Sequence, residues 1–376
     1  MEIKPILSAL MRNKTGAVLV ALQVALSLAI LSNALHIVNL RQAVSARPSG
    51  MADEASLFYI NVRHLDQLSH IEQMALQKAE TATLRAVPGV TSVAFTSQMP
   101  MSRSGSSNSV SLDRRQQESS AHASIYISPD SLVKTWGMEL LEGRDLAPAD
   151  VVELDNSVEE TEASKPKSVL ITRALAQKLW PADASYTGKT LYLGVGADSD
   201  PVQVAGVLKT LQTQQAQLSE NGAYSLVLPI RLTNGYSTIF TMRAEPGQRD
   251  RVMKEAETAL RAAARRPVIL RVKTVDEDRI NRYRADRSLA WMLITVSVLL
   301  LLITASGIVG MASLWVTQRR KQIGVRRALG ARRLDILRYF LTENFMITSL
   351  GIGAGVLLAL GLNALLVRHL EMARLP

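Results

Sequence analysis

The sequence predicts a membrane protein with α-helical transmembrane spans and a large external α+β domain. That domain reads as a split ferredoxin-like subdomain with an inserted mixed α/β subdomain. Three observations predict this class. First, residues 15–40, 288–318 and 344–367 are nearly free of charge, and each stretch exceeds the ~20 residues that cross a hydrocarbon core of about 30 Å. Second, the turn between the last two stretches is strongly basic: Arg319, Arg320, Lys321, Arg326, Arg327, Arg332, Arg333 and Arg338 face one acid, Asp335. Third, two similar strand–helix–strand patterns bracket the long polar stretch between the first two spans.

Positive charge on a short turn between spans holds that turn on the cytoplasmic side. The formal net charge of +10 over 376 residues therefore reflects topology rather than nucleic-acid binding. The chain has no cysteine, so no disulfide framework or thiol chemistry is available.

The elements follow in order. Residues 1–14 place Ile3, Ile6, Leu7, Leu10 and Met11 on one helical face, which predicts an interfacial helix along the inner leaflet. The first span, 15–38, is too long for the apolar core of a cleaved signal and is expected to remain. Ala17, Ala21, Ala25 and Ala29 recur on it at every fourth position, a spacing that lets helices approach closely in lipid. Gln23 and Ser27 add a polar pair nearby. The second span, 288–317, reaches roughly 40 Å at 1.5 Å per residue, so it must tilt or project beyond the bilayer. Gly307 and Gly310 offer a bend or a close contact on it. The turn occupies 318–340. The third span, 341–367, carries Gly351 and Gly355 in a GxxxG pattern that suggests helix association. Glu343 at its start is expected to pair with arginines of the turn. Residues 368–376 form an external tail.

The external domain covers 39–287. Its ferredoxin-like halves, 55–97 and 236–275, read as strand 57–62, helix 70–86, strand 90–95, and strand 237–242, helix 249–264, strand 267–272. Within the insertion, 98–235, strands are expected at 190–193 and 202–208, and a strand running into a helix at 168–179. Residues 102–109, rich in Ser and Gly, read as a mobile loop, and the acidic stretch 150–162 as disordered.

Catalytic signatures are missing. Gly188, Lys189 and Thr190 resemble the tail of a phosphate-binding loop, but the glycine required five residues earlier is Asp183. The five histidines are scattered without metal-ligand spacing, and no nucleophile elbow occurs. The chain is not expected to be an enzyme, nor to bind a metal or cofactor.

The order of span, large external domain, span, basic turn and span, together with Arg320-Lys321-Gln322-Ile323-Gly324-Val325-Arg326-Arg327-Ala328-Leu329-Gly330-Ala331, resembles the MacB/FtsX-like ABC transporter permeases. Pro88-Gly89-Val90, Ser128-Pro129-Asp130, the run 137–144 and Gly206-Val207 are similar to their periplasmic core. The family often has Glu where this chain has Gln322. It also has a fourth span, so a sequence ending at Pro376 is expected to be truncated or atypical.

The resemblance implies a bacterial inner-membrane, multi-pass permease with its large domain in the periplasm. ATP and Mg would belong to a separate cytoplasmic ABC ATPase subunit. It also implies a second permease copy or partner, and an adaptor with an outer-membrane duct. The turn would dock on the ATPase: Gly324 and Gly330 would permit tight turns, Ile323, Val325, Ala328 and Leu329 would form an apolar knob, and Arg320, Arg326, Arg327 and Ala331 would complete the surface. The expected activity is efflux of peptides, antibiotics or other amphiphiles by mechanotransmission. Regulation of a periplasmic cell-wall hydrolase without transport, or lipoprotein release, are the alternatives.

Overall fold

A computed structural model describes residues 14–158, 161, 164–217, 219–233, 238–328 and 330–370. The interfacial helix expected over 1–14 and the end of the tail over 368–376 lie largely outside the described residues. The chain divides into two compact units, Met1–Ser45 with Ala285–Pro376, and Ala46–Arg284.

Helix α1 (Lys14–Ser45) opens the first unit and continues past the expected end of the span at residue 38. The second unit begins with strand β1 (Leu57–His64), helix α2 (His70–Arg85) and strand β2 (Val90–Thr96). Helix α2 starts where it does because Ser69 caps it: Glu72 N–H donates to Ser69 Oγ, and Ser69 N–H donates back to the Glu72 carboxylate at 3.0 Å.

The insertion follows. Its elements are β3 (Ser107–Ser111), β4 (Ala121–Ile127), α3 (Leu132–Trp136), β5 (Leu140–Gly143), β6 (Val152–Asp155) and β7 (Ser168–Thr172). They continue with α4 (Arg173–Leu179), β8 (Thr190–Leu193), β9 (Asp200–Leu208), β10 (Ser225–Leu228) and β11 (Ile230–Thr233). The unit then returns to β12 (Thr238–Ala244), α5 (Arg249–Ala263) and β13 (Val268–Thr274).

The four-stranded sheet has the order β13-β1-β12-β2, antiparallel throughout. This is the ferredoxin-like arrangement, assembled from two halves of the sequence separated by the insertion. Phe58, Ile60, Val62, Phe95, Phe240 and Met242 form its core with Leu84 of α2 and Val252, Ala256 and Leu260 of α5. Alternation along the strands puts these residues on one face, as period-two geometry requires. The inserted sheet has the order β5-β9-β7-β10-β4-β3-β8, with β7–β9 and β10–β4 parallel. Val169, Ile171, Leu191, Val204 and Leu226 are among its buried core. Trp136 of α3, fully buried, donates its indole N–H to Thr241 Oγ1 at 2.8 Å and stands edge-on to Tyr126.

Two expectations in the insertion are corrected. The loop read as mobile over 102–109 ends in β3, and Gln98 ties it down. The Gln98 amide donates to Ser124 Oγ at 2.7 Å and accepts Ser106 N–H at 2.6 Å. In the acidic stretch 150–162, Val152–Asp155 form β6, which pairs in parallel with β11, while residues 159, 160, 162 and 163 lie outside the described residues. Asp150 ahead of it holds Arg144 through both carboxylate oxygens, at 2.6 and 3.0 Å. In both places a long-range partner outweighs local polarity. Lys189, read against a phosphate loop, pairs with Asp183 and lies 5.3 Å over the Trp180 ring.

The chain closes with α6 (Val275–Gln318), α7 (Arg320–Ala328) and α8 (Arg333–Leu370). Three helical stretches are long and apolar enough to cross a membrane: Thr15–Ser45, Val275–Gln318 and Arg333–Leu365. Helix α6 runs through Gly307 and Gly310 as one element. Gly307 serves as a close contact, with Gln23 filling the space a side chain would need, and Gly310 faces open space.

Candidate functional site

Two features of the first unit bear on function, and both grow from the spacing of small and charged residues. The first is the packing of α1 against its neighbours. Ala21, Ala25 and Ala29 are buried, and Ala17 packs partly buried beside Trp315 and Ile347. A Cβ built on Gly351 would lie 2.8 Å from the Ala21 carbonyl oxygen, and one on Gly355 would lie 3.0 Å from Ala25 Cα. The four-residue repeats on the two helices thus meet each other with backbone almost touching backbone. Ala21 meets Gly351 and Ala25 meets Gly355, so α1 and α8 run parallel.

Helix α6 runs antiparallel to α1. Gly16 lies by Trp315, Ser27 Oγ is 2.7 Å from Thr304 Oγ1, and Arg41 pairs with Asp286. Asn33, buried in α1, donates to the carbonyl oxygens of Ala29 and Ala359 at 3.0 and 3.1 Å. Sequence reading singled out Gln23 and Ser27 but not Asn33, Arg41 or Trp315, because nothing local marks which polar residues in a helix find a partner on another.

The second feature is the basic turn. Most of it is helical: α7 occupies Arg320–Ala328, and α8 begins at Arg333. Gly324 was expected to make a tight turn, and this is corrected, because it lies inside α7. Arg, Lys, Gln and Ala are good helix formers, and one glycine costs only about 1 kcal/mol. Gly330 does turn the chain, at φ +93°, where a side chain would be strained. Asp335 then caps α8 by accepting the Arg332 N–H at 3.1 Å.

Along the turn Arg320, Gly324, Val325, Arg327, Ala328 and Gly330 are exposed, and Ile323 and Ala331 are half-buried. Leu329 and the Arg326 side chain lie outside the described residues. Val325 is 60% exposed, a large fraction for an apolar residue on a charged helix. Arg319, just ahead of α7, donates to Glu343 of α8 at 2.7 Å, and the Glu343 side chain is only 3% exposed. This pair ties the end of α6 to the start of α8 and leaves α7 as the presented element.

The first turns of α6 are gripped within the second unit. Tyr59 OH donates to Asp278 at 2.6 Å, and the Arg279 guanidinium donates to Glu54 at 2.5 and 2.9 Å. Arg282 donates to the Ala216 carbonyl oxygen at 2.9 Å, and Tyr283 OH donates to Gln212 Oε1 at 3.2 Å. Burial, and secondarily the neighbouring Asp278 charge, push the Tyr59 hydroxyl far above its ordinary range, so it stays a donor. Among the described residues no group of three His, Asp or Glu side chains could hold a metal ion.

The profile of the MacB-like periplasmic core domain matches residues 20–259, and that of the FtsX-like permease C-terminal region matches 294–375. Among curated relatives, the pyoverdine export ATP-binding/permease protein PvdT of Pseudomonas savastanoi pv. phaseolicola is 30% identical over 231 residues, 58% of this chain and 33% of that protein. The macrolide export ATP-binding/permease protein MacB of Bradyrhizobium diazoefficiens is 29% identical over 185 residues, 48% of this chain and 27% of that protein. PvdT of Pseudomonas syringae pv. tomato is 32% identical over 181 residues, 44% of this chain and 26% of that protein. The chain spans about a third of the length of the curated relatives it matches. With the core-domain match covering well over half of the chain and the permease match covering its last helices, the chain belongs to the MacB/FtsX-like family of ABC transporter permeases.

Proposed function

We propose that this chain is the permease subunit of an inner-membrane ABC exporter. In this reading it passes ATP-driven movement of a separate ATPase subunit to a periplasmic domain that expels peptides, antibiotics or other amphiphiles. The observation that carries the reading is the exposed basic helix α7, presented between two apolar helices and braced by Arg319 and Glu343. Val325 offers an apolar contact, and Arg320 and Arg327 offer charges for an acidic cleft on the ATPase. Nucleotide-driven closure of two ATPase subunits would draw two such helices together, a bias on a two-state element. The relatives that carry their own ATP-binding region are named as exporters of pyoverdine and macrolides, which supports export as the outcome.

Co-purification of the full chain with a candidate ATPase in mild detergent tests the reading, with wild type set beside Gly330→Asp and Arg326→Glu/Arg327→Glu. Loss of the complex in the variants, with membrane insertion intact, is the expected result. Equal binding by all three would reduce the turn to a topology signal and overturn the docking role.

A further inference from the structure

The four-stranded sheet has two edges, β2 and β13, and the chain treats them differently. The β2 edge is sealed from within. Phe95 N–H donates to an Asp130 carboxylate oxygen at 3.0 Å, Ser97 N–H donates to the Ile127 carbonyl oxygen at 3.0 Å, and Ser92 Oγ lies 2.7 Å from Thr135 Oγ1.

The β13 edge is open. Its register with β1 runs unbroken from Val268 opposite His64 to Thr274 opposite Phe58. Leu65 N–H donates to the Pro267 carbonyl oxygen at 3.3 Å, which sets the phase of the ladder. In an antiparallel pair the backbone groups of alternate residues turn away from the partner strand. The N–H and C=O groups of Val268, Leu270 and Val272 therefore point outward, and none has a hydrogen-bond partner among the described residues. Thr274 N–H, next in that series, is taken by the Glu277 carboxylate at 3.1 Å. At Phe95 and at Thr274 alike, the chain satisfies an outer N–H of this sheet with an acid.

The surface charge calls for acids too. Ile269, Arg271 and Lys273 alternate with Leu270 of the core, so they lie on the sheet face turned away from α2 and α5. Arg63 shares that face, directly across from Ile269. Arg63 and Arg271 are exposed and make no ion pair among the described residues, while Lys273 has Asp278 at 3.8 Å. Neither β1 nor β13 carries an acid. Ile269 is 42% exposed beside these cations, and on the opposite face Val268 and Val272 are half-buried.

We propose that β13 is a docking edge for an extended segment of another protein, one that alternates apolar and acidic residues and adds to the sheet as a further strand. Its backbone pairs with the outward groups of Val268, Leu270 and Val272. Its apolar side chains extend the core beside Val268 and Val272, and its acids meet Arg271 and Arg63. The same cations disfavour a second copy of β13 laid alongside, which biases the edge against self-pairing. The inference goes beyond the export reading and stands without it.

The test uses the full chain in lipid nanodiscs and a fluorescent heptapeptide of alternating Val and Glu, capped at both ends and read by anisotropy. Saturable binding to wild type is expected, and Arg63→Glu/Arg271→Glu, at two exposed positions, should weaken it about tenfold. A Val/Lys peptide of the same length should bind at least about tenfold more weakly. Two N-methylated versions of the acidic peptide, one blocked at the Val amides and one at the Glu amides, separate strand addition from charge attraction. An added strand turns only one of these sets toward β13, so one version should lose binding and the other keep it. Val272→Pro, which removes an outward N–H and spares the ladder to β1, should weaken the acidic peptide several-fold. If that variant misfolds, the charge and N-methyl arms still decide. Absence of saturable binding, equal binding of the Val/Lys peptide, indifference to Arg63→Glu/Arg271→Glu, or full binding by both N-methylated versions would each overturn the proposal. Ile269→Cys places a sole thiol at the edge of a chain without cysteine. A disulfide-linked dimer of this variant that resists excess acidic peptide would assign the edge to a second copy and overturn the proposal as well.

Discussion

Adding one methyl group at Gly351 tests whether the α1–α8 contact carries the stability of the helical unit. A Cβ there would sit 2.8 Å from the Ala21 carbonyl oxygen and 3.0 Å from Val24 Cβ. Carbon contacts are most favourable at about 3.5–4.0 Å, so the helices must part by about half an ångström. A gap of that size forfeits about a quarter of each dispersion contact along the seam. Overpacking of this kind costs about 1–3 kcal/mol. The better helix propensity of alanine returns up to about 1 kcal/mol. Gly351→Ala should therefore destabilise by about 1 kcal/mol net.

Gly353, two residues on, has nothing within 4 Å of its Cβ position, so Gly353→Ala keeps the propensity gain alone. The two variants should differ by about 2 kcal/mol, or about 4–8 °C in Tm for a unit of this size. Thermal unfolding of the full chain in detergent, followed by the loss of the monodisperse peak in size exclusion, measures this. If the two variants shift Tm in the same direction by the same amount, the seam argument is wrong. Gly351→Leu should be worse than Gly351→Ala, which separates a steric cause from a propensity effect.

Other substitutions probe the remaining contacts. Arg319→Gln strands the buried Glu343 carboxylate and should cost about 3 kcal/mol, while the double variant with Glu343→Gln should recover much of that in a thermal double-mutant cycle. Gln98→Ala removes the side chain that accepts Ser106 N–H and ties the 102–106 loop to Ser124, and tryptic cleavage after Arg103 should accelerate several-fold, monitored by mass spectrometry. Hydrogen bonds from the Arg144 guanidinium lower the Asp150 carboxyl to about 2, against partial burial that would raise it. A depressed carboxylate contributes stability above its unfolded pKa and loses it as pH falls through the folded value. The Tm difference between wild type and Asp150→Asn should thus be steady at neutral pH and shrink from about pH 4 down to pH 2.

Much of the ferredoxin-like subdomain was legible because its signals are local. Strands β1, β2, β12 and β13 alternate in polarity, and α2 and α5 carry an apolar face between turn residues, so each half declared itself. The insertion was harder. Strand β10 is a short, mostly apolar run, β3 is a polar segment, and β6 is a polar segment whose partner β11 lies far away in sequence. A short polar strand has no apolar periodicity to betray it, so residues 102–109 and the described part of 150–162 looked unstructured until Gln98, Ser124 and β11 were seen beside them. At the basic turn, charge pattern pointed to the segment, and Gly330 read correctly as a turn because positive φ is a backbone property of glycine. The same reasoning failed at Gly324, where the surrounding helix formers prevail.

The order of apolar spans, the placement of positive charge between them and the small-residue repeats follow from the sequence alone, because span length and residue size are set by composition along one helix. Which small residues meet was decided only in three dimensions. Ala21 faces Gly351 and Ala25 faces Gly355 because two helices must agree on direction and register, and no single helix encodes both. The same holds for Arg319 with Glu343 and for Tyr59 with Asp278. Each joins groups separated by long stretches of chain, brought together by burial that only the folded units provide.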